Sequence, residues 1–135
     1  MLGSSYTSTY KIIKTGWGIW IQIRAKANFR PIDDTAHAAL LTLNILPKSF
    51  DSPLFHKYLL AGLHWVEEEI RASTNHPINV VVEELLFNPC DFQDEGLFYA
   101  MADWASDYFG FELPAYSYSY NEKINRYEFP DLKLP

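Results

Sequence analysis

Residues 78–111, INVVVEELLFNPCDFQDEGLFYAMADWASDYFGF, constrain the fold more than any other stretch of the chain. They read as a strand, a tight turn and an amphipathic helix in immediate succession. Ile78, Val80, Val82 and Leu86 share one face of an extended chain, and Val81, Leu85 and Phe87 share the other. Apolar side chains on both faces predict an interior strand over 78–87, covered on both sides for part of its length. Asn88 and Pro89 stop it, because proline removes a ladder donor and asparagine suits turns. Asp91 is read as the N-cap of a helix near 92–109, with Asp94 and Glu95 placing negative charge in its first turn. Leu97, Phe98, Met101, Trp104, Ala105 and Tyr108 recur at helical spacing and form a wide apolar stripe. Gly110 suits the left-handed position after the last turn, and Phe111 the closing contact of a Schellman-type cap.

The N-terminal half supplies the partners for that unit. Residues 7–15 read as a first strand, reversed at Gly16-Trp17-Gly18. In the second strand Ile19, Ile21, Ile23, Ala25, Ala27 and Phe29 alternate with Trp20, Gln22, Arg24, Lys26 and Asn28. A period of two with one polar face predicts a strand covered on one side. Its polar face is basic, read as solvated charge that discourages edge pairing; a nucleic-acid surface is the alternative, opposed by the acidity of the chain as a whole. Residues 36–46 are open between a third strand and a short helix begun at Asp34-Thr35. Ser52 followed by Pro53 is a strong helix start. Phe55, Leu59, Leu63, Val66 and Ile70 give that helix its core stripe, with an end expected near Ser73. Gly62, costly in mid-helix, suggests close packing there. Beyond Pro114, Tyr116, Tyr118 and Tyr120 alternate with serines as a strand, its tyrosines either packed on the sheet or exposed; 124–129 can return.

The order β-β-β-α-β-α-β(-β) predicts an α+β fold, a mainly antiparallel sheet with two helices packed on one face. At 135 residues, 48% hydrophobic and 21% charged, the chain is expected to form a single domain, 1–135, with loose ends at 1–6 and 130–135. One cysteine, Cys90, excludes an internal disulfide framework and fits a reduced compartment. No apolar h-region opens the chain and no apolar run approaches the ~20 residues that span a bilayer. A cytoplasmic location without membrane partners is the expectation.

Chemistry-bearing motifs are missing. There is no HExxH, CxxC, GxSxG or glycine-rich loop leading into a helix. His64 and Glu68 stand one helical turn apart and supply only two ligands. Glu83 and Glu84, adjacent on a strand, are expected to point to opposite faces and not to act as a pair. The reading is therefore of a protein without catalytic residues, metal or cofactor.

Charge is distributed unevenly along the chain. The net charge is −6. Residues 1–60 carry seven bases against three acids, and residues 61–112 carry eleven acids against the single base Arg71. Such a balance speaks to partners rather than to fold. Glu67, Glu68, Asp91, Asp94, Glu95, Asp103 and Asp107 are the candidate partner-binding residues, with Trp104 read as core rather than anchor. A small, acidic, aromatic-rich chain of this kind (16% Phe, Trp and Tyr) resembles the small bacterial immunity proteins that neutralise polymorphic or contact-dependent growth-inhibition toxins. The resemblance is one of size, acidity and an acid-aromatic surface formed by Asp91, Asp94, Glu95, Asp103, Asp107 and Trp104. It implies a basic toxin or nuclease domain as partner, no nucleic acid, and acidic and aromatic groups filling a basic cleft. The alternatives are a ligand-binding domain or enzyme with an aromatic-lined pocket between helices and sheet, and a structural subunit.

Overall fold

The computed structural model describes residues 2–14, 17–30, 41–50 and 52–134. The fold is α+β. Strands β1 (Tyr6–Lys14), β2 (Trp17–Phe29), β3 (Leu41–Ile45) and β4 (Ile78–Phe87) form one sheet in the order β1-β2-β4-β3. Helices α1 (Pro53–Trp65) and α2 (Glu67–Thr74) connect β3 to β4, and α3 (Asp94–Phe109) follows β4. A ribbon of β5 (Ser119–Asn121) and β6 (Arg126–Glu128) closes the chain as a separate two-stranded sheet. β1, β2 and β4 pair antiparallel, whereas β3 pairs parallel with β4 because a helical crossover joins them. Within 36–46, Leu41–Ile45 is strand; 36–40 lie outside the described residues, as do Asp34-Thr35.

The alternation of β2 holds through Ala27, but Phe29, expected on the covered face, is 55% exposed at the strand end. Ile19, Ile21, Ile23, Ala25 and Ala27 are buried beneath the helices, and Gln22, Arg24 and Lys26 lie on the opposite face. Two readings of the first hairpin shift. Lys14 pairs with Trp17, so Trp17 and Gly18 belong to β2 rather than to the turn, while Gly16 lies outside the described residues.

In β4 the expected two-face assignment fails halfway along. Arg24 pairs with Glu84 and Ala25 with Val82, which leaves Glu83 as the extra residue of a β-bulge. A bulge resets the alternation. Ile78, Val80 and Val82 are buried before it and Leu85 after it, and Leu86 is turned outward to 43% exposure. It also brings Glu83 and Glu84 to the same cation: Arg24 lies 3.9 Å from one and 3.8 Å from the other. Their predicted separation onto opposite faces is therefore wrong. Ser5 donates a further hydrogen bond to Glu83.

The single helix expected over 52–73 is two. Ser52 caps it as predicted, its hydroxyl accepting from the Phe55 N–H, but Val66 (φ −112°, ψ 21°) interrupts the helix before α2. Gly62 sits where α1 crosses α3, against the backbone carbonyl of Phe98. The close packing read from this glycine is real. α3 is likewise pressed on the sheet: a methyl on Gly96 would stand 2.9 Å from Cδ1 of Ile21. Its N-cap is Gln93 rather than Asp91, which lies in the short 3-10 turn Pro89–Asp91. Its C-terminus closes as expected, Gly110 at φ 78° and the Phe111 N–H donating to Ser106 O at 3.0 Å.

The ends are held. Gly3 N–H donates to Ala27 O, Tyr108 Oη donates to Ser4 O, and Leu132 and Leu134 lie against the core. No described helix is long and apolar enough to cross a membrane.

Candidate functional site

The seven predicted acids fall into three groups. Glu67 and Glu68 open α2, far along the chain from the others. Glu67 is already engaged, 3.6 Å from His64 Nδ1 and 3.9 Å from Arg71 Nη2. His64 thus faces Glu67 rather than Glu68, and among the described residues no three metal-ligating side chains converge.

The second group is built at the start of α3. Asp91 accepts from the Asn88 amide at 3.2 Å, a local turn contact. Glu95 holds Arg126 through both oxygens, at 2.9 and 3.1 Å. Between them Gln93 is buried and does what no sequence signal announces. Its amide donates to Tyr127 O at 2.6 Å and its carbonyl accepts from Tyr127 N–H at 2.9 Å. The side chain thereby acts as a strand partner for β6, and the ribbon is fastened to the helix start by two amide hydrogen bonds and an ion pair. Among the described residues Asp94 has no such partner. Burial, then the neighbouring Glu95 carboxylate, raises its pKa above the usual aspartate value. Tyr58 of α1 is raised too, by burial and then by Glu95 and Asp94.

Asp103 and Asp107, one turn apart on α3, form the third group. Among the described residues neither has a cation within ion-pair distance. Asp107 accepts weakly from Tyr6 Oη at 3.4 Å. Asp103 is half-buried, and burial followed by the charge of Asp107 pushes its carboxyl up to about 6.

Tyrosines connect the second and third groups. Tyr10 and Tyr116 share a hydroxyl contact of 2.6 Å, and burial raises the pKa of both. Tyr116 stacks on Tyr99 at 4.0 Å, and Tyr120 meets Tyr127 at 5.1 Å. The tyrosine series is therefore divided: Tyr116 packs inward, against Tyr99 and Trp65 of the helices and Tyr10 of β1, and Tyr118 is 47% exposed. Beside Tyr118 and Tyr120 a shallow hollow of about 400 Å³ runs to Ile12 and Ile13 of β1. A second of similar size lies between Glu95, Arg126 and Ile124 on the other flank of the ribbon.

Trp104 does not contribute to this surface. It is fully buried, and its Nε1 donates to Tyr6 O at 3.0 Å. The tyrosines that do reach solvent are Tyr6, beside Asp107, and Tyr118. Nor are the aromatics of α3 spread around a cavity where they meet the sheet: Tyr99 and Trp104 are buried, and Gly96 leaves no room for a methyl group.

No protein-family model matches the chain, and no curated protein matches it. Among solved structures it is similar to the crystal structure of ttk003000868 from Thermus thermophilus, with a TM-score of 0.52 at 10% identity. The match covers 73% of this chain and 14% of that one, so the chain spans a small part of that protein. The likeness is one of fold.

Proposed function

We propose that the protein is a small binding protein of the immunity type, which inhibits a basic protein domain such as a nuclease toxin. The contact surface is the ridge from the start of α3 through the β5–β6 ribbon to Asp103 and Asp107. The observation that carries this reading is the uncompensated charge. Of the four α3 acids only Glu95 forms an ion pair among the described residues, with Arg126, which also offsets part of the charge at Asp94, and exposed Ile124 lines the hollow beside Glu95. Half-buried carboxylates without counter-ions raise the cost of the free surface and reward a partner that brings cations. Tyrosines supply contact area at small cost in side-chain entropy. Glu67, paired with Arg71 and His64, has less to offer a partner.

The test is association kinetics with a basic partner found by pull-down or by gene neighbourhood. Charge reversal at Asp94, Glu95 and Asp103 together should slow association by about tenfold or more at low salt, with the difference shrinking as salt rises. Reversal at Arg71, which lies beside Leu41 of the opposite edge strand β3, should change little. If Arg71 governs the rate and the acidic set does not, the reading is wrong.

A further inference from the structure

Strand β1 is one of the two edges of the four-stranded sheet, the other being the shorter β3. Its last partners, Lys14 and Trp17, flank a two-residue connection, so that pair and every second pair from it exchange hydrogen bonds with β2. Thr7, Thr9, Lys11 and Ile13 therefore turn their N–H and C=O groups away from β2. Among the described residues nothing accepts or donates to them through the backbone. Most long edges are protected by proline, a bulge or a covering element. β1 contains no proline, the bulge of this sheet lies between β2 and β4, and Ile13 is 86% exposed at the free edge.

The helix side of this edge is furnished at both ends. Near Tyr6 lie Asp107, which accepts from the Tyr6 hydroxyl, and Asp103 one turn before it. Near Ile12 lies the hollow lined by Ile13, Tyr118, Tyr120 and Tyr127. Tyr6 and Ile12 face the same side and stand six residues apart, about 20 Å.

We propose that β1 is a strand-addition site: an extended segment of a protein partner pairs with its free edge, lays a basic residue beside Asp103 and Asp107, and seats an apolar residue in the tyrosine hollow. The proposal rests on the reading of the protein as a binder of basic domains, and adds where the partner's backbone runs. Charge selects this occupant over a second copy of the chain. Antiparallel pairing of two β1 strands would bring two α3 helices together on one sheet face, each carrying Asp94, Glu95, Asp103 and Asp107. Antiparallel addition is the more stable arrangement. It sets the apolar residue first and the basic residue six positions later.

The probe is the capped heptapeptide Leu-Thr-Val-Thr-Val-Thr-Lys, titrated into the full chain and followed by amide NMR. Its leucine falls opposite Ile12, its central threonine opposite Thr9 and its lysine opposite Tyr6. Shifts and exchange protection should concentrate at the amides of Thr7, Thr9 and Lys11. Proline at the central threonine of the peptide should abolish binding without altering its charge. Glutamate for the lysine, or Asp103→Asn with Asp107→Asn, should weaken it by about tenfold. Thr9→Pro removes an outward N–H while sparing the bonds to β2, and should abolish binding with the β2 and β4 amides unmoved. Shifts mapping away from β1, or undiminished binding of the proline peptide or by the Thr9→Pro chain, would overturn the proposal. So would a dimer in sedimentation that Thr9→Pro dissolves, since a second copy would then own the edge. The wider reading fails separately. If reversal of Asp94 and Glu95 leaves association with a basic partner unchanged while Thr9→Pro slows it, the strand site stands and the electrostatic surface does not. The converse pattern leaves that surface standing and removes the strand site.

Discussion

The indole N–H of Trp104 donates to the backbone carbonyl of Tyr6 across 3.0 Å, joining the middle of α3 to the first residue of the edge strand. The two residues are 98 positions apart, and the contact lets a fully buried tryptophan satisfy its one polar atom. Trp104→Phe keeps much of the ring but loses this bond and leaves a void. It should destabilise the fold by about 2 kcal/mol, and Trp104→Ala by about 4 kcal/mol, measured by urea denaturation.

Gly62→Ala tests whether helix propensity or helix packing rules at the α1–α3 crossing. In an exposed helix the change would stabilise by about 1 kcal/mol. Here the new methyl meets the Phe98 carbonyl, a backbone atom that no rotamer change can move aside. The expected result is a net loss of about 2 kcal/mol, read as a lowered urea midpoint with unchanged slope.

Gln93 is the fastening of the β5–β6 ribbon. Gln93→Ala removes both bonds to Tyr127 and leaves a buried N–H and C=O without that partner. A loss of about 3 kcal/mol is expected if the ribbon stays docked. If it swings free, the global loss is smaller and amide exchange accelerates selectively across residues 119–128. Hydrogen exchange separates the two, and no change in either quantity would refute the role.

Asp103 should make stability fall as pH rises. Its carboxyl titrates near 6 in the folded chain, against an ordinary value of 3.8, so the native state holds the proton more tightly than the unfolded chain. The stabilising contribution is full below pH 3.8 and is lost as pH rises through about 6. Asp103→Asn fixes the uncharged form. Relative to the parent it should gain about 1 kcal/mol at pH 7, after a discount for solvent screening, and almost nothing at pH 4. Asp94, shifted the same way, keeps a residual slope in the variant. Thermal unfolding at both pH values is the measurement.

What the sequence determined by itself is the set of local structures whose signals agree with one another. The period-two pattern of β2, the proline and asparagine after Phe87, the stripe of α3 with Gly110 behind it, and the Ser52-Pro53 helix start all reappear in the fold. Each depends on residues within a few positions of one another, where backbone sterics and local hydrogen bonds decide the conformation. The acidity of 61–112 was legible for the same reason, since charge needs no geometry to be counted.

Tertiary structure alone decided the rest. The bulge at Glu83 arises from the register between β2 and β4, whose partners at that point are more than fifty residues apart, and nothing near Glu83 and Glu84 announces that both will reach Arg24. Val66 breaks the helix although it is itself buried in the apolar stripe, so the stripe gives no sign of the interruption. Gln93 looks like one more polar residue before a helix until β6 arrives to take both ends of its amide. The acids were readable as a list, yet their division into Glu67 paired with Arg71, Glu95 paired with Arg126, and Asp103 and Asp107 beside an open strand edge required the packed chain. Pairing and burial depend on distances through space, and charge unaccompanied by distance does not fix them.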